Sequence, residues 1–538
     1  AVLASYLRHG YVAAPHAIFA GLRKLPAGTI LTLTPQPSPP DRYPEPAAYW
    51  AAEDIARTGQ ENPFHGSEDE AVEALDTLLR DAVGDCLVSD VPLGAFLSGG
   101  IDSSTIVAMM QAQSARPVRT FTIGFRESGY DEATDAAAVA RHLGTDHTEL
   151  YVSTEEAQQV VPRLPMIYSE PFADSSQIPT FLVSQMARRD VTVSLSGDGG
   201  DELFGGYNRY IWAQRIRRGT ARVPAALRRP LTRLVRGIPP QRWDRMFAAA
   251  GPLLPRGLRV NQPGGKLHKL AGILDAGSPE EMYWRLISLA QQPDSLLAGS
   301  GEAATLMSRR TDWPRLDSFA QSLMLLDTKT YLADDILVKL DRAAMAVGLE
   351  GRVPLLDHRV MAFAWQLPEA WKLRDGTGKH ILRRVLERYV PRTMFDRPKA
   401  GFAAPVGAWL RGGLRDWAED LLDETRLAGA GHFETVAEPP RRHAGQYKRI
   451  VAAADVRGVA TQQRRAARRY RSLTSMRPDT RYQAIPTYSC SAAPVALRPE
   501  RAGTRLRQRK PSAAPLPSGS NRAGTTLAAT LTPWWRNA

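Results

Sequence analysis

The sequence has 538 residues, enough for about two to four domains, and 43% of them are hydrophobic, so a large core can form. It contains no apolar run of about 18 residues, and its two cysteines, Cys86 and Cys490, lie far apart. We therefore expect a cytoplasmic protein with no secretory leader, no membrane partner, no disulfide framework and no cysteine-based zinc site.

The net charge of +13 is concentrated at the end of the chain. Residues 441–538 contain 20 Lys and Arg and 3 Asp and Glu, which leaves 49 basic and 53 acidic residues in 1–440. A mildly acidic body has no long-range field that would attract nucleic acid. The tail at 436–538 is rich in Arg, Ala and Pro, which predicts disorder, and it is either a basic arm or a stretch read in a shifted frame.

The first fifty residues are too few to fold alone. They contain a strand-like run at 30–33, followed by a proline-rich linker at 36–46. Such a short piece buries too little surface to be stable, so it must dock on another domain or be the end of one.

From residue 67 onward, helical and strand patterns alternate. Ser67 to Glu70 reads as a capping box, and apolar residues follow at helical spacing. The sequence then predicts strands at 91–97, 118–125, 147–152 and 191–195, with helices at 105–110, 131–143 and 179–187. This order predicts an α/β fold, with a parallel sheet covered by helices on both faces and ligands bound at the carboxyl ends of the strands.

The first of these strands runs into Ser98-Gly99-Gly100-Ile101-Asp102-Ser103-Ser104 and then into a helix. Backbone N–H groups at a helix N-terminus bind anions, and glycines let an oxyanion approach the backbone closely. The loop lacks the lysine of a Walker motif and has an acid instead, which predicts a bound Mg²⁺ beside phosphates. The alternative is a plain glycine turn whose acid caps the helix.

The fourth strand ends in a second glycine loop, Ser196-Gly197-Asp198-Gly199-Gly200-Asp201. In a parallel sheet this loop emerges at the same edge as the first, so Asp102 and Asp201 can face one metal across bound phosphates. A solvated turn or a calcium loop is the alternative, although the alternating ligands and distal glutamate of an EF-hand are absent.

Together with the segments 338–357 and 395–402, these loops resemble the synthetase domain of the glutamine-hydrolysing asparagine synthetases, members of the PP-loop ATP pyrophosphatases. The resemblance covers roughly residues 1–435. It implies that 1–50 is the end of a glutaminase domain with a linker, and that 67–435 is an ATP-binding synthetase domain with a helical C-terminal part.

The resemblance also implies roles for single residues. ATP would be held by residues of both loops and the neighbouring strands: Phe96, Ser98, Gly99, Gly100, Asp102, Ser103, Ser104, Ile123, Ser196 and Gly197. Mg²⁺ would be bound by Asp102 and Asp201. Asp198, often Glu in the family, and Lys399 would be catalytic, with Lys399 neutralising charge in the transition states. Alternatively, Lys399 is a surface lysine before a glycine turn.

The implied activity is adenylation of a carboxylate by ATP, followed by transfer of ammonia with release of AMP and pyrophosphate. Aspartate is the favoured acceptor. Asp174, Ser175 and Ser176 stand where some members carry an arginine that grips aspartate, so another carboxylate, such as a cell-wall, polysaccharide or natural-product precursor, stays open. Glutamine would supply nitrogen only through a glutaminase half encoded elsewhere, because no cysteine precedes Cys86.

Two rival functions are considered. The chain could be an inactive remnant that only binds ATP. The other rival, a tRNA-modifying or sulfur-transferring PP-loop enzyme, would need a basic body and catalytic cysteines, and this sequence lacks both. As to oligomeric state, a homodimer is left open.

Overall fold

The computed structural model describes residues 1–33, 44–125, 132–221, 225–250, 263–274, 276–297, 301–397, 404, 406–423 and 425. The chain divides into two compact units, of which the larger is 1–237 with 268–465 and the smaller is 238–267 with 466–538. The predicted tail, most of the linker at 36–46 and Lys399 lie outside the described residues.

The strands are β1 Thr29–Ile30, β2 Ala47–Ala48, β3 Leu93–Phe96, β4 Arg119–Phe125, β5 Asp146–Val152, β6 Val193–Leu195 and β7 Glu350–Arg352. The helices of the larger unit up to the second glycine loop are α1 Val2–His9, α2 Ala52–Glu61, α3 Glu68–Leu87, α4 Ile101–Ala112, α5 Ala133–Leu143, α6 Thr154–Val160, α7 Leu164–Tyr168, α8 Gln177–Ala187 and α9 Gly200–Phe204.

The remaining helices are α10 Asn208–Ala221, α11 Ala225–Gly237, α12 Pro240–Ala250, α13 Pro263–Leu274, α14 Pro279–Ile287, α15 Phe319–Asp327, α16 Leu337–Met345, α17 His358–Gln366, α18 Glu369–Lys372, α19 His380–Leu386, α20 Val406–Trp409 and α21 Arg415–Leu421. A π-helix over Thr328–Ile336 joins α15 to α16. No helix in the described part of the chain is long and apolar enough to cross a membrane.

Five strands form one parallel sheet in the order β5-β4-β3-β6-β7. This confirms the predicted α/β class. The central β3 pairs with β4 on one side and β6 on the other, so the two glycine loops leave adjacent strands at their carboxyl ends. The sequence did not predict β7, because its three residues, Glu350-Gly351-Arg352, carry no apolar run.

The structure contains the capping box that the sequence predicts at the start of α3. The Ser67 hydroxyl accepts from the Glu70 N–H at 3.3 Å, and the Glu70 carboxylate accepts from the Ser67 N–H at 2.7 Å, which confirms the capping box. The expected strand at 30–33 is wrong in extent, because only Thr29 and Ile30 are in a strand, paired antiparallel with Ala47 and Ala48.

The N-terminal segment docks on the body, as a piece too short to fold alone must. The Arg8 guanidinium is 3% exposed, lies 3.8 Å from the centre of the Trp284 ring and is ion-paired with Glu302. The Gly10 carbonyl accepts from the Ala173 N–H at 2.8 Å. These contacts fix residues 8–11 against the helices that border the candidate site.

A buried lysine at the end of α18 gives a first prediction. Lys372 is fully buried with Nζ 4.6 Å from the centre of the Trp365 ring, and within the described chain Nζ has no hydrogen-bond partner. Burial lowers the pKa of Lys372 from 10.5 to about 7, against a smaller opposing effect of the Glu369 charge. An amine whose folded pKa is lowered costs stability: the cost is complete below about pH 7 and disappears as pH rises to the unfolded value of 10.5.

We therefore expect Lys372→Met to raise the free energy of unfolding by about 3–5 kcal/mol at pH 7, with the gain shrinking toward pH 10. Lys329→Met is the control, since that lysine pairs with Glu53 at the surface at 2.6 Å. Denaturant unfolding at several pH values measures both. A Lys372→Met protein less stable than the parent at pH 7 would show that the ammonium-indole contact outweighs desolvation.

Candidate active site

The two glycine loops touch at the carboxyl edge of the sheet. A Cβ on Gly197 would lie 2.7 Å from the Ser103 N atom, and a Cβ on Gly200 would overlap the Asp102 carboxylate. Glycine is therefore required at both positions so that the second loop can lie against the first turn of α4. The expected convergence of the loops is a feature of the structure.

Hydrogen bonds within the first loop fix its shape. Gly99 has φ +67°, and Gly100 precedes the first residue of α4. The Ser98 and Ser103 hydroxyls are 2.9 Å apart, and the Ser98 N–H donates to the Ser103 hydroxyl at 3.2 Å. This arrangement places the N-terminus of a 12-residue helix, with its positive dipole end, at the loop.

A lysine that the sequence analysis did not single out lies between the two predicted metal acids. Lys379 Nζ forms ion pairs with Asp102 and with Asp201, the latter at 2.6 Å, and the lysine is 6% exposed. Burial lowers the pKa of Lys379, but the charges of Asp102 and Asp201 outweigh burial and raise it above its usual value. The lysine is therefore positively charged and brings both carboxylates to one point.

Lys379 has an unusual backbone conformation. Its φ of +60° is left-handed, which is uncommon for a residue with a side chain. The Lys379 N–H donates to the Phe204 carbonyl at 2.9 Å, and a Cβ on Gly206 would overlap Lys379 Cε and the Asp201 carboxylate. The loop that carries Asp201 therefore fixes the lysine directly.

The donor set fits Mg²⁺ in the company of phosphates. Mg²⁺ takes oxygen ligands and is commonly held by one or two carboxylates plus substrate phosphates. Asp102 and Asp201 contact the same Nζ atom, so their carboxylates are close enough to share an ion. Within the described residues, no group of three or more His, Cys, Asp or Glu side chains could hold a metal ion. Phosphate oxygens would have to complete the coordination.

Asp198 occupies the middle of the second loop. Its carboxylate accepts from the Ser196 hydroxyl at 2.7 Å, and the Ser196 N–H donates to the Arg352 carbonyl of β7 at 2.8 Å. Burial raises the pKa of Asp198, opposed by the Lys339 charge and the serine hydrogen bond. The charges of Lys339 and Lys379 both favour the ionised form of Asp198, whereas the charge of Asp201 opposes it.

Lys339, on α16, anchors the next part of the site. Its Nζ lies 2.8 Å from the Asp174 carboxylate and 2.8 Å from the Ser176 hydroxyl. Burial raises the pKa of Asp174, but Lys339 and the Ser176 hydrogen bonds outweigh it and hold that pKa well below its usual value. Asp174 of the Asp-Ser-Ser segment therefore forms an ionised pair with this lysine.

A cavity of about 370 Å³ adjoins this pair. Its walls are residues 9–11 of the N-terminal segment, the 173–175 loop, α10, the end of α14, Met307, the end of α15 and the π-helix. Arg209, Asp174, Asp327 and Asp335 supply charge, and Trp212, Leu289 and Met307 supply apolar surface. The Arg209 guanidinium is bound to Asp327 at 2.7 Å and lies 4.7 Å from the centre of the Tyr331 ring. The volume lies in the range of small-molecule sites, roughly 300–1,000 Å³.

Comparison with known proteins assigns the fold and these loops to one family. The family model for asparagine synthase matches residues 74–465, which include both glycine loops, Lys339 and Lys379. The chain belongs to the asparagine synthase family.

Individual members are similar over part of their length. Asparagine synthetase (glutamine-hydrolyzing) 1 of Bacillus subtilis is 30% identical over 440 residues, which is 81% of this chain and 64% of that protein. Asparagine synthetase (glutamine-hydrolyzing) 3 of Bacillus subtilis and asparagine synthetase (glutamine-hydrolyzing) of Bos taurus are each 26% identical, over 70% and 73% of this chain and 54% of their own lengths. The chain thus spans about half to two thirds of these relatives.

The residues assigned from the family resemblance are distributed unevenly around the loops. Ser98, Gly99, Gly100, Asp102, Ser103, Ser196, Gly197, Asp198 and Asp201 lie in or beside the two touching loops. Ser104 is fully buried in the first turn of α4, and Ile123 is 2% exposed in the middle of β4. Phe96 ends β3 and pairs with Phe121. All these assignments stay predictions.

Arg397 connects the loops to the segment that carries Lys399. Its guanidinium donates to the Gly99 carbonyl at 2.9 Å and pairs with Asp135 at 2.9 Å. The second catalytic residue expected in this family, Lys399, follows two positions later and lies outside the described residues. The start of that segment is thus attached to the first glycine loop.

Proposed function

We propose that the chain is an ATP-dependent amide-forming ligase that adenylates a carboxylate and transfers ammonia to it, releasing AMP and pyrophosphate. The observation that carries the proposal is the convergence of Asp102, Asp201 and Lys379 beside the N-terminus of α4, whose N-cap Gly100 supplies no side-chain cap. A helix N-terminus, two carboxylates and one ammonium form a site for a polyphosphate with its Mg²⁺.

In the first step the acceptor carboxylate attacks the α-phosphorus of ATP, and the bond to the β-phosphate oxygen breaks. Negative charge develops on the departing pyrophosphate. The N–H groups of the Ser98 loop and the Lys379 ammonium lie where they can neutralise that charge, and such fixed charges are commonly the largest catalytic term. Bound Mg²⁺, held by Asp102 and Asp201, would supply further positive charge.

In the second step ammonia attacks the acyl carbon, and AMP leaves with the electron pair of its carbon–oxygen bond. The attacking nitrogen must lose a proton. Asp198, half-buried in the second loop with its carboxylate held by the Ser196 hydroxyl, would accept it, and burial raises its pKa toward that of a useful base. Ammonia is the nitrogen nucleophile in this scheme, and a glutaminase half, where a family member has one, would supply it.

We place the acceptor carboxylate in the cavity, on the side lined by Asp174, the partner of Lys339. Charges of both signs on the wall suit an acceptor that carries an ammonium and a second carboxylate, as aspartate does. The volume and the apolar wall also admit a bulkier acceptor, which keeps a precursor of a larger molecule in consideration.

The test is a product assay on the intact chain with ATP, Mg²⁺, ammonium chloride and a panel of carboxylates: aspartate, glutamate, an aspartyl dipeptide and a uronic acid. AMP and pyrophosphate are expected in equal amounts, together with one amide identified by mass spectrometry. Formation of ADP and phosphate with an active acceptor would contradict the proposal. ATP binding without turnover across the panel would favour the inactive remnant.

A further inference from the structure

Helix α11 presents leucines to solvent in a strongly basic part of the body. Leu227, Leu231 and Leu234 are 58%, 42% and 63% exposed. Their spacing of four and three residues places them in one stripe along the helix. The opposite face packs against α13, since Thr232 is buried and its hydroxyl donates to the Ala271 carbonyl at 3.2 Å. The leucine stripe is therefore an outward face.

The charges of the helix itself are of one sign. Helix α11 carries four arginines and no Asp, Glu or Lys, although residues 1–440 as a whole are mildly acidic. At about 100° per residue, Arg228 and Arg233 lie on opposite flanks of the leucine stripe. Arg233 is exposed, whereas Arg236 lies on the opposite side of the helix, next to Gly272. An apolar stripe bordered by cations is the pattern of a helix that lies in the plane of a membrane surface.

We propose that α11 is a docking surface for an anionic lipid bilayer. Headgroup phosphates complement the arginines, and the leucines gain free energy by entering the boundary between headgroups and acyl chains. A nucleic acid would use the arginines and leave the leucines in water. A second copy of this chain would set arginine against arginine. The lipid surface is therefore the partner that uses both features, and it needs no membrane-spanning helix.

Vesicle flotation with the full chain tests the proposal, using phosphatidylcholine vesicles with and without phosphatidylglycerol. We expect binding only when phosphatidylglycerol is present, and weaker binding at high salt. The combined variant Leu227→Ser, Leu231→Ser and Leu234→Ser should bind at least about tenfold more weakly, because it removes three apolar anchors. Arg233→Glu should bind more weakly as well. The arginine-rich tail is present in every variant, so the comparison isolates α11.

The matched control is Leu22→Ser, Leu25→Ser and Leu33→Ser, three leucines of the N-terminal segment that are 58%, 52% and 71% exposed. This variant should bind vesicles like the parent, and all variants should keep the parent's thermal midpoint because the substituted side chains are at the surface. Three results would overturn the proposal: no binding of the parent to anionic vesicles, full binding by the α11 leucine variant, or equal loss in the control. Tight binding to duplex DNA that does not depend on the leucines would point to a nucleic acid instead.

Discussion

Lys379→Met is expected to lower pyrophosphate release from ATP by about 10²–10³-fold, comparable to the loss of one fixed charge-stabilising group in other active sites. The substitution removes the ammonium from between Asp102 and Asp201 and leaves two carboxylates facing the arriving phosphates. Repulsion then opposes ATP binding, and the departing pyrophosphate loses a counter-charge. Release of pyrophosphate at saturating ATP, together with an ATP binding isotherm, measures both effects.

Lys372→Met is the matched control for this experiment. It makes the same change at another buried lysine, seven residues away in sequence, that lacks a carboxylate partner among the described residues. It should keep parental activity while gaining stability. Parental activity in Lys379→Met would show that Lys379 has no role in the reaction. Loss of activity in both variants would show that replacing any buried lysine by methionine impairs the protein.

Gly206→Ala is expected to reduce the same rate by about 10²-fold without a change of charge. The new methyl group would overlap Lys379 Cε and the Asp201 carboxylate, so one of the two side chains must move by about an ångström. Misplacement by about 1 Å is enough to cost that factor in a preorganised site. Gly301→Ala is the control, because a Cβ there meets nothing within 4 Å. Unchanged turnover in Gly206→Ala would show that the Lys379 and Asp201 arrangement is not needed for catalysis.

The parts of the site that could be predicted are those encoded by adjacent residues. Ser98 to Asp102 and Ser196 to Asp201 each combine glycines, hydroxyls and acids directly after an apolar run, and the period of the surrounding elements indicates a parallel sheet. The juxtaposition of the two loops follows from that sheet, since β3 and β6 are neighbours. The residue types in each loop, together with the rule that ligands bind at the carboxyl ends of parallel strands, were sufficient to predict this part of the site.

The remaining parts depend on contacts without a local signal. Lys379 is 277 positions from Asp102, and nothing in its neighbourhood distinguishes it from a lysine at a helix start. The pairing of Lys339 with Asp174 spans 165 positions, and β7 has only three residues, two of them charged. The leucine stripe of α11 fits an ordinary amphipathic helix from its pattern. Only the structure shows which of its faces is buried.

The most direct measurement of the central claim is exchange of labelled pyrophosphate into ATP by the intact chain, with Mg²⁺ and an acceptor carboxylate present and ammonia omitted. If the loops, the two acids and Lys379 form an adenylating site, exchange occurs in the absence of ammonia, requires the acceptor, and is lost in Asp102→Ala, since formation and reversal of the adenylate need only that site. Amide formation with no exchange, or exchange that survives in Asp102→Ala, would contradict the account.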